Sequence, residues 1–314
     1  MSSQMQPVSG NVPQLFGTQD VDVFEISQGS AKARLDPHGA LLKSWAVDGR
    51  ELLFSSSIPT HRLRATHPIG PICGRAFDPV TRVIDDIVTL EGLQVKLPLH
   101  GGLREANWER IGGDKEGSAA LALDYEAGKL DNTQYPYGSR WNQVVSLDGN
   151  KLTWSLSFTS LAQGVIAPAD MGCHLYLPHS EGLKIHGLDG LPYKNLTVWD
   201  APAEGTIRGP GAFSDNVNRD WQIRLKPETG DPVRAVEIEY PREKYGIKMR
   251  LLSPRADNMI VWSNPTLATQ IGGPFICPEF WLAERNSITN GTAAKVGSNQ
   301  TETLAFEMEY LPKK

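Results

Sequence analysis

The chain is short of cysteine, of basic tracts and of long apolar runs, and each shortage closes off a class of protein. Three cysteines, Cys73, Cys173 and Cys277, are spread over 314 residues with no CxxC pair. Neither a disulfide framework nor a zinc ribbon is expected, and the default compartment is reducing. No stretch approaches the roughly 18 uninterrupted apolar residues of a membrane helix. The N-terminal MSSQMQPVSGNVPQLFG has neither the basic n-region nor the apolar h-region of a secretory signal. Residues 1–18 are read as a flexible cytoplasmic leader before one domain over 19–314. Lysine and arginine number 31 against 36 acidic residues, a net charge of -5 with no dense basic cluster, which argues against nucleic acid as a partner. The expected partner is a small neutral or polar molecule, not nucleic acid or a membrane, and the expected assembly is a monomer or a homodimer. Fixed-period repeats, low-complexity tracts, separating linkers and useful amphipathic helices are also missing.

Turn-forming residues and alternation are abundant. The 30 glycines and 22 prolines make up about a sixth of the chain, against roughly an eighth on average, and many turns favour many short strands. Leu304, Phe306, Met308 and Tyr310 alternate with Ala305, Glu307 and Glu309, the period of a half-buried strand. Asp148-Gly149-Asn150 separates Val144-Val145-Ser146-Leu147 from the apolar-polar run 152–158, a hairpin signature because these turn residues tolerate positive φ. A second hairpin is expected at Glu91-Gly92. Further strands are expected at 21–27, 32–35, 41–46, 119–125, 235–240, 247–252 and 258–263. Residues 201–232, dense in Gly, Pro, Asp and Asn, read as long loops that could display binding residues. The fold class expected is all-β, one large antiparallel sandwich.

Four short segments could carry chemistry. In Leu97-Pro98-Leu99-His100-Gly101-Gly102 a histidine ends an apolar run and two glycines allow close backbone approach; it could equally satisfy a hydrogen bond at a strand end. In Gly172-Cys173-His174-Leu175-Tyr176-Leu177 an extended chain puts His174 and Tyr176 on one face and Cys173, Leu175 and Leu177 on the other. Imidazole exchanges protons near neutral pH, while a purely structural His-Tyr pair would look the same. Glu279 sits in Gly272-Gly273-Pro274-Phe275-Ile276-Cys277-Pro278-Glu279-Phe280-Trp281, where burial would raise its pKa toward that of a useful base, unless Arg75 or Arg285 pairs with it. Pro71-Ile72-Cys73-Gly74-Arg75 places a guanidinium after an apolar stretch. A metal site built on the cysteines is disfavoured by alternation: Cys173 faces away from His174, so three thiols do not converge on the polar side, and small apolar packing is the reading preferred.

In order along the chain, these pieces resemble the aldose 1-epimerase (galactose mutarotase) family. Gly74-Arg75 is similar to its GR motif, Leu99-His100-Gly101-Gly102 to its LHGG with Trp108 following, Tyr135-Pro136-Tyr137 to its YPF, 168–176 to its P-x-x-x-G-x-H-P-Y-F, Ile276-Cys277-Pro278-Glu279 to its C-x-E-P, and 296–310 to its closing segment. The likeness spans about 21–311. It implies a galactose mutarotase-like β-supersandwich whose concave face holds a free sugar, with His174 as general acid, Glu279 as general base, and Arg75 and His100 binding substrate. It also implies a loop aspartate on the sugar hydroxyls; Asp215 is the choice, with Asp220 next. Tyr176 or Trp281 could cover the apolar face of the ring, core packing being an equally good account of both, and no cofactor or metal is needed. Leu175 and Leu177 replace Pro and Phe, Phe280 replaces the Pro after Glu279, and 76–82 departs from the family's spacing to a second arginine. These changes bear on which sugar is bound, glucose, galactose, an uncommon aldose or a phosphorylated one; for a phosphate, Arg75, Arg82 and Arg140 are candidates.

Two other functions are weighed. A non-catalytic carbohydrate binder on the same fold has no need of both His174 and Glu279. A glycoside hydrolase normally places two carboxylates about the bond, and only Glu279 sits in an apolar motif.

Overall fold

The alternating segments form antiparallel strands close to where the sequence puts them. The computed structural model describes residues 23–56, 58, 65–75, 86–90, 92–113, 116–127, 134–196, 204–226 and 230–313; the leader assigned to 1–18 lies outside these. Ala235–Tyr240 and Asn258–Ser263 coincide with their expected ranges, and the other expected strands differ by a few residues at an end. Ser139–Asp148 and Lys151–Ser160 form the long hairpin, with Asp148 opposite Lys151 and Gly149 at φ +59° in the turn. Ile87–Leu90 pairs with Leu93–Lys96 as the second hairpin, its Glu91 lying outside the described residues.

Two large sheets build the molecule. The first has eight strands, in the order Lys184–His186, Ala235–Tyr240, Tyr245–Leu251, Thr301–Pro312, Lys151–Ser160, Ser139–Asp148, Ser118–Tyr125 and Glu109–Gly112. Its alternation is clean: Leu304, Phe306, Met308 and Tyr310 are buried, and Thr301–Pro312 is held between two earlier strands. The second runs Glu204–Thr206, Pro192–Asn195, Arg219–Arg224, Asn258–Ser263, Phe275–Trp281, Gly172–His174 and His67–Ile69, with Leu177–Pro178 also on Phe275–Trp281. A four-stranded sheet begins the described chain, from Phe24–Gln28 to Arg50–Glu51.

The core lies between the two large sheets. Phe280 of one meets Phe306 of the other with ring centroids 5.6 Å apart, and Trp154 stacks on Phe306 at 5.2 Å. Truncating such a ring to alanine typically costs about 3–5 kcal/mol, so this interface fixes the second sheet's position. Along Phe275–Trp281 the pleat sends Ile276 and Phe280 into that core, and Phe275, Cys277, Glu279 and Trp281 to the opposite face. All seven residues are nonetheless buried, which is why this strand reads as a nearly continuous apolar run instead of an alternating one.

Two expectations need correction. Residues 172–177 are not one strand: Gly172–His174 and Leu177–Pro178 are separate, although the predicted sidedness holds, with Cys173, Leu175 and Leu177 in the main core and Tyr176 on the other side. Residues 201–232 are not loops throughout, since Arg219–Arg224 is a six-residue strand. Its Asp220 and Gln222 alternate with Trp221 and Ile223, and polar residues on the open face disguised the period. No helix among the described residues is long and apolar enough to cross a membrane.

Candidate active site

The open face of the second sheet forms the floor of a cleft of about 230 Å³, small beside the about 300–1,000 Å³ of pockets for drug-sized ligands. His174, Glu279, Asp220, Trp262 and Trp281 rise from its strands, while Arg75, His100, Arg104 and Arg285 come from the surrounding loops. Gly172 lies opposite Trp281 in the antiparallel register, and the same register carried two residues further sets His174 across from Glu279. A Cβ at Gly172 would stand 2.7 Å from both the Trp281 indole and the Ile69 side chain, so any larger residue has to displace them.

His174 and Glu279 form the centre. Nδ1 of His174 is 3.4 Å from Oε1 of Glu279, and both side chains are almost wholly buried. The Trp281 indole N–H donates to Oε2 of Glu279 at 2.9 Å. Burial pushes the Glu279 carboxyl well above the usual carboxylate range; the Trp281 donor opposes that shift and the Asp220 carboxylate adds to it. The imidazole of His174 stacks on Tyr176 at 4.6 Å and on His67 at 5.0 Å, and meets Trp262 edge-on at 5.2 Å. These rings fix its orientation.

The surrounding polar groups are set by backbone contacts. His100 sits in a tight turn with φ +63°, and its Nδ1 accepts the Gly74 N–H at 3.1 Å. That bond leaves the ring proton on Nε2. The indole N–H of Trp108 donates to the Leu103 carbonyl at 3.0 Å and holds the far end of the turn. Asp220 is pushed up to about 6 by burial, against the pull of Arg285. Arg285, lowered by burial and by the nearby Arg75 guanidinium, donates to the Leu196 carbonyl at 3.0 Å. Beneath the floor, Oδ1 of the fully buried Asp170 accepts the N–H groups of Met171 at 2.8 Å and Ala283 at 3.0 Å, and Oδ2 accepts the Ser287 hydroxyl at 2.8 Å. This carboxylate ties the approach to His174 to the residues just beyond Trp281.

The family model for aldose 1-epimerase matches residues 22–307. The chain belongs to the aldose 1-epimerase family. Solved structures of similar shape include a putative aldose 1-epimerase from Escherichia coli K12, 18% identical with a TM-score of 0.75 over 93% of this chain and 99% of that one. They also include a galactose 1-epimerase from Lactobacillus acidophilus, 15% identical with a TM-score of 0.69 over 95% and 98%. At these identities the likeness establishes the galactose mutarotase-like sandwich fold. No protein of curated function matches the chain.

Of the residues singled out in sequence, this epimerase-family chain brings Arg75, His100, His174 and Glu279 into one cleft. Two of the residues expected at the site are not in this lining. Asp215 is exposed outside it, its carbonyl accepting from Arg219, while Asp220, the second choice, is in it. The register decides this: Asp220 lies opposite Trp262 on the sheet, whereas Asp215 precedes the strand. Tyr176 is fully buried behind His174 among Phe54, Phe275 and Trp262, and does not line the cleft. Trp281 does. Of the cations considered for a phosphate, Arg140 is on the other large sheet with Asp124 at 3.0 Å, and Arg82 lies outside the described residues. Arg104 and Arg285 stand in the lining instead; the first was legible as the arginine two residues past the LHGG turn, the second as the cation six residues after Glu279.

Proposed function

We propose that this protein interconverts the α and β anomers of a free aldose by opening and reclosing the sugar ring. One observation carries the reading: a buried carboxylate and an imidazole face each other at 3.4 Å in a cleft edged by hydrogen-bonding groups. Glu279 takes the proton of the anomeric hydroxyl while His174 protonates the ring oxygen, so the hemiacetal opens to an aldehyde. After rotation about the adjoining C–C bond, the same two groups return the protons in reverse as the ring closes on its other face. The ring C–O bond breaks and re-forms within the sugar and only protons pass between it and the protein, which asks no cofactor of the site. Burial makes Glu279 more basic than an exposed carboxylate, as a base working near neutrality requires. Arg75, His100 and Asp220 bind the remaining hydroxyls, and the Trp281 or Trp262 indole covers an apolar ring face.

Polarimetry or NMR of freshly dissolved α-aldoses tests this. At least one sugar in a broad panel is expected to reach anomeric equilibrium faster with protein than in buffer, and uniform agreement with buffer would defeat the proposal. Three guanidinium groups in the lining, Arg75, Arg104 and Arg285, favour including hexose phosphates and uronic acids beside glucose and galactose.

Asp220 gives a directional prediction. Its negative charge adds to the raised pKa of Glu279, and the base works only when ionised, so the rate falls as pH drops through that pKa. In Asp220→Asn the acid limb of kcat/KM is expected to move to lower pH, and KM to rise as a hydroxyl acceptor is weakened. A profile superimposable on wild type would show that the two carboxyls are not coupled.

A further inference from the structure

Beside the acid-base pair lies a third group that the proposed reaction does not use. Cys277 precedes Glu279 by two residues on the same strand, so the pleat turns both to the same face, and its thiol is fully buried. One ligand atom each from His174, Cys277 and Glu279 lie within 4.8 Å of one another, the one such group among the described residues. Imidazole nitrogen, thiol sulfur and carboxylate oxygen are together the donors of a zinc-type site, not of a calcium or magnesium site, which takes oxygen.

We propose that His174, Cys277 and Glu279 bind a thiophilic divalent cation, Zn²⁺ or Cd²⁺, and that the bound cation blocks the cleft. A tetrahedral site with ligands at about 2.0–2.3 Å has edges of about 3.3–3.8 Å. The His174–Glu279 separation of 3.4 Å already matches such an edge, and the other two need to close by about an ångström at most. Thiolate and carboxylate cancel the double charge, with the thiol proton released to solvent, so no net charge is left buried. All three ligands stand on neighbouring strands of one sheet, which holds them in place. Three protein ligands leave the fourth tetrahedral position to a water molecule. The metal occupies the lone pairs with which His174 and Glu279 would move protons. Metal binding and anomer interconversion are therefore mutually exclusive; binding stands on the geometry alone, while the block rests on the epimerase reading.

The test titrates metal-stripped protein with CdCl₂, following the ultraviolet thiolate-to-cadmium charge-transfer band, and measures ZnCl₂ binding by equilibrium dialysis. Wild type is expected to take up one cation with one thiolate. Cys277→Ser and Cys277→Ala are expected to lose the band and to weaken Zn²⁺ binding by more than about 100-fold. Cys73→Ser and Cys173→Ser should keep both. Sugar equilibration by wild type is expected to stop with Zn²⁺, return with EDTA and ignore Ca²⁺ and Mg²⁺. A wild-type protein without the band, or a band surviving in both Cys277 variants, overturns the site. Stoichiometric Zn²⁺ with undiminished turnover overturns the block. Zn²⁺ binding as described, in a protein that equilibrates no sugar, supports the site and defeats the epimerase reading instead.

Discussion

Glu279→Gln is expected to lower the rate of anomer interconversion by about 10²–10⁴-fold, the usual contribution of a positioned general base, with KM nearly unchanged. Glutamine has the shape of glutamate, and its amide oxygen can accept the Trp281 indole N–H that now goes to Oε2. The amide NH₂ then faces His174, and the packing of the strand is kept. What is lost is the ability to take a proton. In the proposed reaction sugar affinity rests on Arg75, His100 and Asp220, which the substitution leaves alone. Full activity in this variant would show that the base is another group even if the reaction is right.

The same substitution carries a stability signature of opposite sense. The folded-state pKa of Glu279 lies above its unfolded value because the carboxyl is buried. Such a group favours the fold while protonated, and its contribution is lost as pH rises through the folded pKa. Glutamine does not ionise, so the variant is expected to melt at or above the wild-type temperature, with the gap wider at pH 8 than at pH 5. Lost turnover with gained stability is the pattern of a functional carboxylate held at a cost to the fold. A structural glutamate would give the reverse, since removing it would lower the melting temperature.

Legibility in the sequence followed the physics of each element. Strands with one wet face, such as Thr301–Pro312 and the hairpin around Gly149, announce themselves because the period of two survives in the residue types. Strands covered on both faces do not. Phe275–Trp281 reads as apolar throughout, and its sidedness emerges only when Phe280 is found against Phe306 and Glu279 against His174. Arg75, His100, His174 and Glu279 were recognisable from their neighbours and order. Asp220 was not separable from Asp215, because the distinction is one of register against Asn258–Ser263, a pairing between segments some forty residues apart. Tyr176 was placed on the correct face but at the wrong depth: alternation gives direction, whereas depth depends on Phe54 and Phe275 closing over the ring. Cys277 was set aside by testing the three cysteines as a group, and a site with a single thiol escapes that argument.

Gly101→Ala, next to the cleft-lining His100, is expected to be severely damaging for a single added methyl. Gly101 has φ +76°, and a Cβ there would lie 2.1 Å from the Gly70 carbonyl oxygen, 2.4 Å from its carbon and 2.6 Å from the Pro71 nitrogen. All three are backbone atoms, so no rotamer relieves the overlap. Either the turn or the 70–71 segment must move by about an ångström, breaking the hydrogen bond from the Gly70 N–H to the His100 carbonyl. A loss of about 3–5 kcal/mol and a fall in melting temperature of about 10 °C are expected. Gly149→Ala separates steric overlap from backbone strain: Gly149 also has positive φ, +59°, but nothing stands within 4 Å of its Cβ position. That control is expected to cost about 1 kcal/mol, and equal melting of the two variants would sink the steric account. Function should divide in the same way. Displacing the turn moves His100 and loosens its bond to the Gly74 N–H, and Arg75 is the next residue along. Folded Gly101→Ala protein is therefore expected to show a raised KM for sugar, whereas Gly149→Ala, at the hairpin tip, keeps the wild-type value.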